Sequence, residues 1–159
     1  MTTRVIDAKD LIVGRLCTYV AKQLLLGQTF EIVNVEKAIF TGRKEQIFEK
    51  YKHLVSMGRP RTGPFIKRRS REIFKKSLRG MLPHKTTRGR EALKRVKIFK
   101  GVPARLQDVK GETLESANVS KVPNLKYIRL EELTKFLGGR WKLIYTYQER
   151  EKKQLLELH

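Results

Sequence analysis

Apolar positions recur along the first third of the chain with two different periods. Arg4-Val5-Ile6 is a short β-branched run that ends at Asp7. Val13, Leu16, Cys17, Val20, Ala21, Leu24 and Leu25 then repeat at three- and four-residue steps. This draws one apolar face along a helix, and Gly27 follows as its stop. Phe30-Glu31-Ile32-Val33-Asn34-Val35 is dense in apolar and β-branched residues, the pattern of a strand covered on both faces. Strand, helix and strand in immediate succession predict a βαβ unit with parallel pairing.

Beyond it, Ala38-Ile39-Phe40-Thr41-Gly42 is a short apolar piece closed by a turn. Thr41 is placed to cap a helix from about Arg43 to Val55, with Ile47, Phe48, Tyr51, Leu54 and Val55 turned inward. Gly58-Arg59-Pro60-Arg61-Thr62-Gly63-Pro64 excludes regular structure, because two prolines and two glycines break it, and predicts an exposed cationic loop. Arg68 to Arg79 reads as a two-faced helix. Ile73, Phe74, Ser77 and Leu78 line one side; Arg68, Arg71, Lys75 and Arg79 recur on the other. Gly80 ends it and Met81-Leu82-Pro83 bends the chain. A basic helix over Arg88 to Arg95, a strand over Val96 to Phe99, a polar loop over Lys110 to Pro123, a strand over Lys126 to Arg129 and a helix over Leu130 to Leu137 follow. The pattern predicts one α/β domain over 1–142 and a charged, helical tail over 143–159.

Composition adds the chemistry. Lys and Arg number 36 against 16 Asp and Glu, a formal net charge of +20. Gly58 to Arg105 carries 17 of those bases and only two acids, Glu72 and Glu91. That window holds +15 and the remainder +5. A solvated charged face normally mixes signs, so this one predicts a polyanion-binding surface. Nucleic acid is the first expectation and an anionic membrane surface the second. Arg is suited to phosphate because its planar fork donates in pairs. The cations expected to make contacts are Arg59, Arg61, Lys67, Arg68, Arg69, Arg71, Lys75 and Arg79, with His84 beside them. Aromatic residues are 8% and fall mostly at core spacings, which argues against a base-stacking platform and for recognition of backbone and shape in folded RNA.

Other chemistries find little support. Cys17 is the sole cysteine, so no intramolecular disulfide or cysteine-held zinc is expected, and an intracellular compartment fits. No apolar run approaches the ~18 residues of a membrane span, and the N-terminus has no signal-peptide core. Asp7 and Asp10 are spaced as nuclease carboxylates could be, but a turn and helix start explain them better. His53 reads as a helix-surface residue and Cys17 as a buried small hydrophobe. No phosphate-binding glycine loop is present.

Two groups of residues carry a family resemblance. One is Val5-Ile6-Asp7-Ala8, Val13-Gly14-Arg15-Leu16, Val20-Ala21-Lys22, Ile32-Val33-Asn34-Val35-Glu36-Lys37 and Thr41-Gly42. The other is Arg79-Gly80-Met81-Leu82-Pro83-His84-Lys85-Thr86, Arg88-Gly89, Ala92-Leu93-Lys94-Arg95-Val96-Lys97-Ile98-Phe99 and Gly101-Val102-Pro103. Together they resemble the large-subunit ribosomal protein thirteen family, in its archaeal and eukaryotic branch. The resemblance implies a three-layer α/β/α fold with a parallel four-stranded sheet and a basic extension. It implies a structural role in the large ribosomal subunit, in the cytoplasm. The implied partners are large-subunit ribosomal RNA and neighbouring ribosomal proteins, with no catalysis, cofactor, metal, membrane or small-molecule substrate. Its signature segment marks Arg79, Gly80, Met81, Lys85, Arg88 and Arg90 as RNA contacts. Two alternatives on the same α/β core are an RNA-processing enzyme and a non-ribosomal RNA- or DNA-binding protein.

Overall fold

The predicted βαβ unit is the centre of the structure, a computed structural model that describes residues 3–59, 61–109, 111–121 and 126–138. β1 (Thr3–Asp7) leads through α1 (Val13–Leu25) into β2 (Thr29–Val33). β1 and β2 pair in parallel, with Arg4 opposite Phe30 and Ile6 opposite Ile32. After β3 (Ile39–Thr41) come three helices, α2 (Lys44–Ser56), α3 (Ser70–Gly80) and α4 (Thr87–Lys94). The chain then returns as β4 (Val96–Ile98), parallel to β2 on its other side. β5 (Tyr127–Arg129) and α5 (Leu130–Phe136) complete the described chain.

α1 forms because its apolar residues fall on one face, and that face is what the sheet needs covered. Leu16, Cys17, Val20 and Leu24 have no exposed surface. They join Ile6, Phe30, Ile32, Val96 and Ile98 in one cluster, residues that alternate along the three strands and so share one face of the sheet. Gly27 ends the helix as expected, with φ of +95° and its N–H donating to the Leu24 carbonyl at 3.1 Å. Burial pushes the Cys17 thiol up to about 12, which fits a small core residue.

The opposite face of the sheet is thinly covered. Val5 and Val33 meet Leu106, from a short helical turn over Ala104–Leu106, and Phe99. Glu31 lies on this face, only 4% exposed. Its carboxylate accepts from Arg105 at 2.8 Å and lies 3.6 Å from Lys97. A buried carboxylate held by two cations is absent from a reading of β2 as a purely apolar strand.

Among the described residues the parallel sheet has three strands, in the order β1-β2-β4, and β3 pairs antiparallel with β5 in a separate two-stranded sheet. Other expectations need correction. On the outer side of β1, Glu112 makes a one-residue parallel bridge to Ile6, its N–H donating to Val5 at 2.8 Å. The 111–121 part of the expected polar loop is therefore pinned to the domain, and Ile12 donates to the Ala117 carbonyl at 2.8 Å. β2 stops at Val33 because Asn34 turns to φ of +54° and Val35–Lys37 form a helical turn. Thr41 closes β3 and caps nothing; α2 begins after Arg43 with no side-chain cap. None of its residues is fully buried; Ile47, Phe48, Tyr51 and Val55 rest partly buried on the core. Asp10 precedes α1 in a left-handed conformation instead of starting it. The predicted tail helix over 143–159 lies outside the described residues.

Leu16→Ala and Leu24→Ala should each cost ~2–5 kcal/mol, as fully buried leucines do. Leu26→Ala, at a residue 68% exposed, should stay within ~0.5 kcal/mol. Urea denaturation of the three variants measures this, and equal losses would mean that α1 does not bury its stripe. Alkylation of Cys17 at pH 8 should follow global unfolding and not precede it, because the folded thiol is protonated there.

Candidate nucleic-acid interface

α3 separates two tasks by helical spacing. Ser70, Ile73, Phe74 and Leu78 are buried, and the helix packs on α1. Arg71, Lys75 and Arg79, at four-residue steps, are all exposed, and Lys76 is exposed beside them. A four-residue step turns the helix only about 40° past a full turn, so the three cations form one slowly winding stripe. Arg71 and Lys75, together with Lys97, line an open cleft of about 460 Å³ between α3 and the outer edge of β4.

The segment from Arg79 to Arg90 folds as a tight helix–turn–helix. Gly80 is the last residue of α3, and Leu82 drops back into the core. Thr86 builds the turn with one hydroxyl, which donates to the Pro83 carbonyl at 2.8 Å and accepts from the Gly89 N–H at 3.3 Å. Met81, Lys85, Arg88 and Arg90 are exposed and His84 is half-buried. The Met81 sulfur lies 3.5 Å from the Thr18 hydroxyl of α1, which donates to the Gly14 carbonyl at 3.0 Å.

The two glycines of this segment differ. A Cβ on Gly80 would meet nothing within 4 Å, whereas one on Gly89 would sit 2.0 Å from the Pro83 carbonyl oxygen. Gly89 is therefore required by the fold, because α4 lies directly on the turn before it. Gly80 is free of such a demand and leaves bare backbone at the surface.

Arg88 has a second duty. Its guanidinium donates to the Leu25 carbonyl at 3.3 Å, and Arg95 donates to that of Leu24 at 3.2 Å. These carbonyls lie at the end of α1, where a helix carries a partial negative charge, and that of Leu24 accepts from the Gly27 N–H as well. Arg95 was not among the predicted contacts. Its seven-residue separation from Arg88, two helical turns, is the signal that the two work on one face.

The described residues of the 58–64 loop are exposed, as expected, except the half-buried Gly63, and the loop is closed on itself. Arg59 and Gly63 bond each other's backbone at 3.3 and 3.0 Å. Arg59, Arg61, Lys67, Arg68 and Arg69 are all exposed around it. Phe65 departs from the expectation that aromatics fill the core: it is 70% exposed.

Electrostatics sets this surface apart. The ion pairs among the described residues are Arg4–Glu112, Lys44–Glu132, Lys97–Glu31, Arg105–Glu31, Arg129–Asp10 and Lys135–Glu131. None involves a cation between Arg59 and Arg95, nor either acid of the basic window. The carboxylates considered for chemistry are structural. Asp7 accepts from Asn34 and from the Lys9 N–H, each at 3.0 Å, and Asp10 faces Arg129. His53 is exposed on α2. Among the described residues, no three His, Cys, Asp or Glu side chains gather as a metal site would require.

The ribosomal protein L13 family matches this chain over residues 1–105. The large ribosomal subunit protein uL13 of Archaeoglobus fulgidus is 44% identical over 137 residues, covering 86% of this chain and 88% of the relative. That of Haloarcula marismortui is 43% identical over 135 residues, covering 85% and 90%. That of Thermoplasma volcanium is 41% identical over 136 residues, covering 86% and 98%. The chain belongs to the ribosomal protein L13 family.

Gly89→Ala should destabilise the domain by ~1–3 kcal/mol or more, since backbone must move to admit the methyl. Gly80→Ala should leave stability unchanged or raise it by ~0.5–1 kcal/mol, through helix propensity. Thermal melts of the two variants read the contrast, and a Gly80→Ala loss as large as that of Gly89→Ala would refute this account of the turn.

Proposed function

We propose that the chain is a structural constituent of the large ribosomal subunit, held on ribosomal RNA by the cationic surface of the 58–69 loop, α3, the 81–86 turn and α4. The observation that carries this is the absence of any ion pair among the described residues for the cations of 59–90. Such a concentration of like charge opposes folding through self-repulsion unless a polyanion meets it. A folded RNA meets it best, because the exposed cations are spread over α3, α4 and two loops instead of one recognition helix. Family membership supplies the particle, and relatives named as large ribosomal subunit proteins support it.

Within this reading Arg59, Arg61, Lys67, Arg68, Arg69, Arg71, Lys75, Arg79, Lys85 and Arg90 neutralise phosphates. Gly80 admits an RNA backbone close to α3, and Met81 and His84 fill the surface between cations. Arg88 divides its donors between α1 and RNA. The chain works by binding, with no catalysis, alongside neighbouring ribosomal proteins in the cytoplasmic ribosome. No helix among the described residues is long and apolar enough to cross a membrane. The three-layer fold with a fourth parallel strand belongs to the same reading, supported by the Glu112 bridge beside β1.

The chain should cosediment with large ribosomal subunits at moderate salt. With Arg68, Arg71, Lys75 and Arg79 all changed to Gln, the slope of log K against log salt for ribosomal RNA should flatten by roughly 3, at ~0.7–0.9 per phosphate contact. An unchanged slope would remove α3 from the interface. Gly80→Ala should weaken the same binding without loss of stability.

A further inference from the structure

Phe65 is the most exposed large apolar residue among the described residues, at 70%. It sits in an open cleft of about 340 Å³ lined also by Val55, Met57, Pro64, Arg59 and Arg68. The ring is not a loose end of the chain. Its Cδ2 and Cε2 lie 3.3 Å from where a Cβ on Gly63 would stand, so the ring rests on bare glycine backbone. Gly63 is itself held: its φ is +81°, and its carbonyl oxygen occupies the space that a Cβ on Gly58 would need, 1.8 Å away. Two glycines thus brace an aromatic ring against the loop and leave the rest of it open. Among the described residues Phe65 has no aromatic partner. The cations beside it, Arg59 and Arg68, have no ion-pair partner there either.

We propose that this cleft binds a single unpaired nucleotide of the RNA, its base stacked on Phe65 and its phosphate held by Arg59 and Arg68. An apolar protein side chain would also cover the ring. It would not answer two unneutralised guanidinium groups on the rim, whereas a nucleotide carries a π-face and an anion on one unit. The inference rests on the RNA-binding reading and adds to it a point of contact that is not electrostatic.

The test uses the full chain, a transcript of large-subunit ribosomal RNA and a salt series. Phe65→Leu should weaken binding roughly 5- to 150-fold, the range for one stacked base, at every salt concentration and with the slope unchanged. Arg59→Gln should instead lower the slope by ~0.7–0.9. Phe65→Trp should bind as the parent does. With Trp141 changed to Phe, the introduced indole should be quenched when RNA is added. A melt of Phe65→Leu at the parental temperature shows that the loss is not unfolding. Parental affinity for Phe65→Leu, with unquenched indole emission, would overturn the nucleotide site while leaving RNA binding standing; the cleft would then belong to a protein neighbour. A parent chain that fails to bind the transcript even at low salt would overturn the RNA reading and this site with it.

Discussion

The main core of this domain is organised around the buried stripe of α1. One side of that helix covers the parallel sheet, and its remaining apolar surface receives α3 and α4. The helices that carry the cationic surface pack on it, with further contacts from α3 to the 35–37 turn and α5 and from α4 to β4. Ile73, Phe74 and Leu78 of α3 and Ala92 of α4 reach the same cluster. The hydrophobic effect acts on area and is indifferent to the sign of charge above it. It can therefore hold together two helices whose outer faces repel. Arg88 and Arg95 strengthen the arrangement, since they donate to the carbonyls at the end of α1 and tie α4 to it.

The distribution of acids follows from the same need. Glu31, Glu112, Asp10, Glu131 and Glu132 each pair with a cation, and all lie outside 58–105. The buried Glu31 carboxylate draws Lys97 and Arg105, the cations nearest the sheet, into the scaffold. Glu36, also buried, accepts from the Gly101 N–H at 3.1 Å and fixes the chain after β4. Acidic residues thus brace the sheet and its edges, and the surface on the far side of α1 keeps its positive excess.

Periodicity made α1, α3, α4 and the parallel pairing of β1 with β2 legible, because each is set by residues close in sequence. What escaped depends on contacts far apart. Asn34 looks like one more strand residue until its left-handed turn is seen. The pattern predicts the strand over 126–129, but its pairing with β3 joins segments some ninety residues apart, which no local period shows. Glu112 is an ordinary polar residue until the edge of β1 offers it a bridge. The exposed cations were legible from sign alone, since an unbalanced run has few places to go but the surface. The unlike roles of Gly80 and Gly89 were not, because a glycine's neighbours decide its role and sequence does not show them. Phe65 was hidden for a related reason: its exposure follows from the loop geometry that Gly58 and Gly63 impose.

The location of the surface is itself informative. Open α/β sheets generally hold ligands outside the carboxyl ends of their strands. Here that region is occupied by the protein. Asp7 at the end of β1 accepts from Asn34 at the end of β2. Asn34 donates its N–H to the Gly101 carbonyl at 3.1 Å, and Glu36 covers the Gly101 N–H. The polar groups that could orient a small molecule are spent on each other, across all three strand ends. A large polyanion gains more from a helical layer than from a crevice, because its charge can be met over a long track. The βαβ unit is therefore a foundation, and the unpaired positive charge lies one layer outward, on the helices and loops around α1.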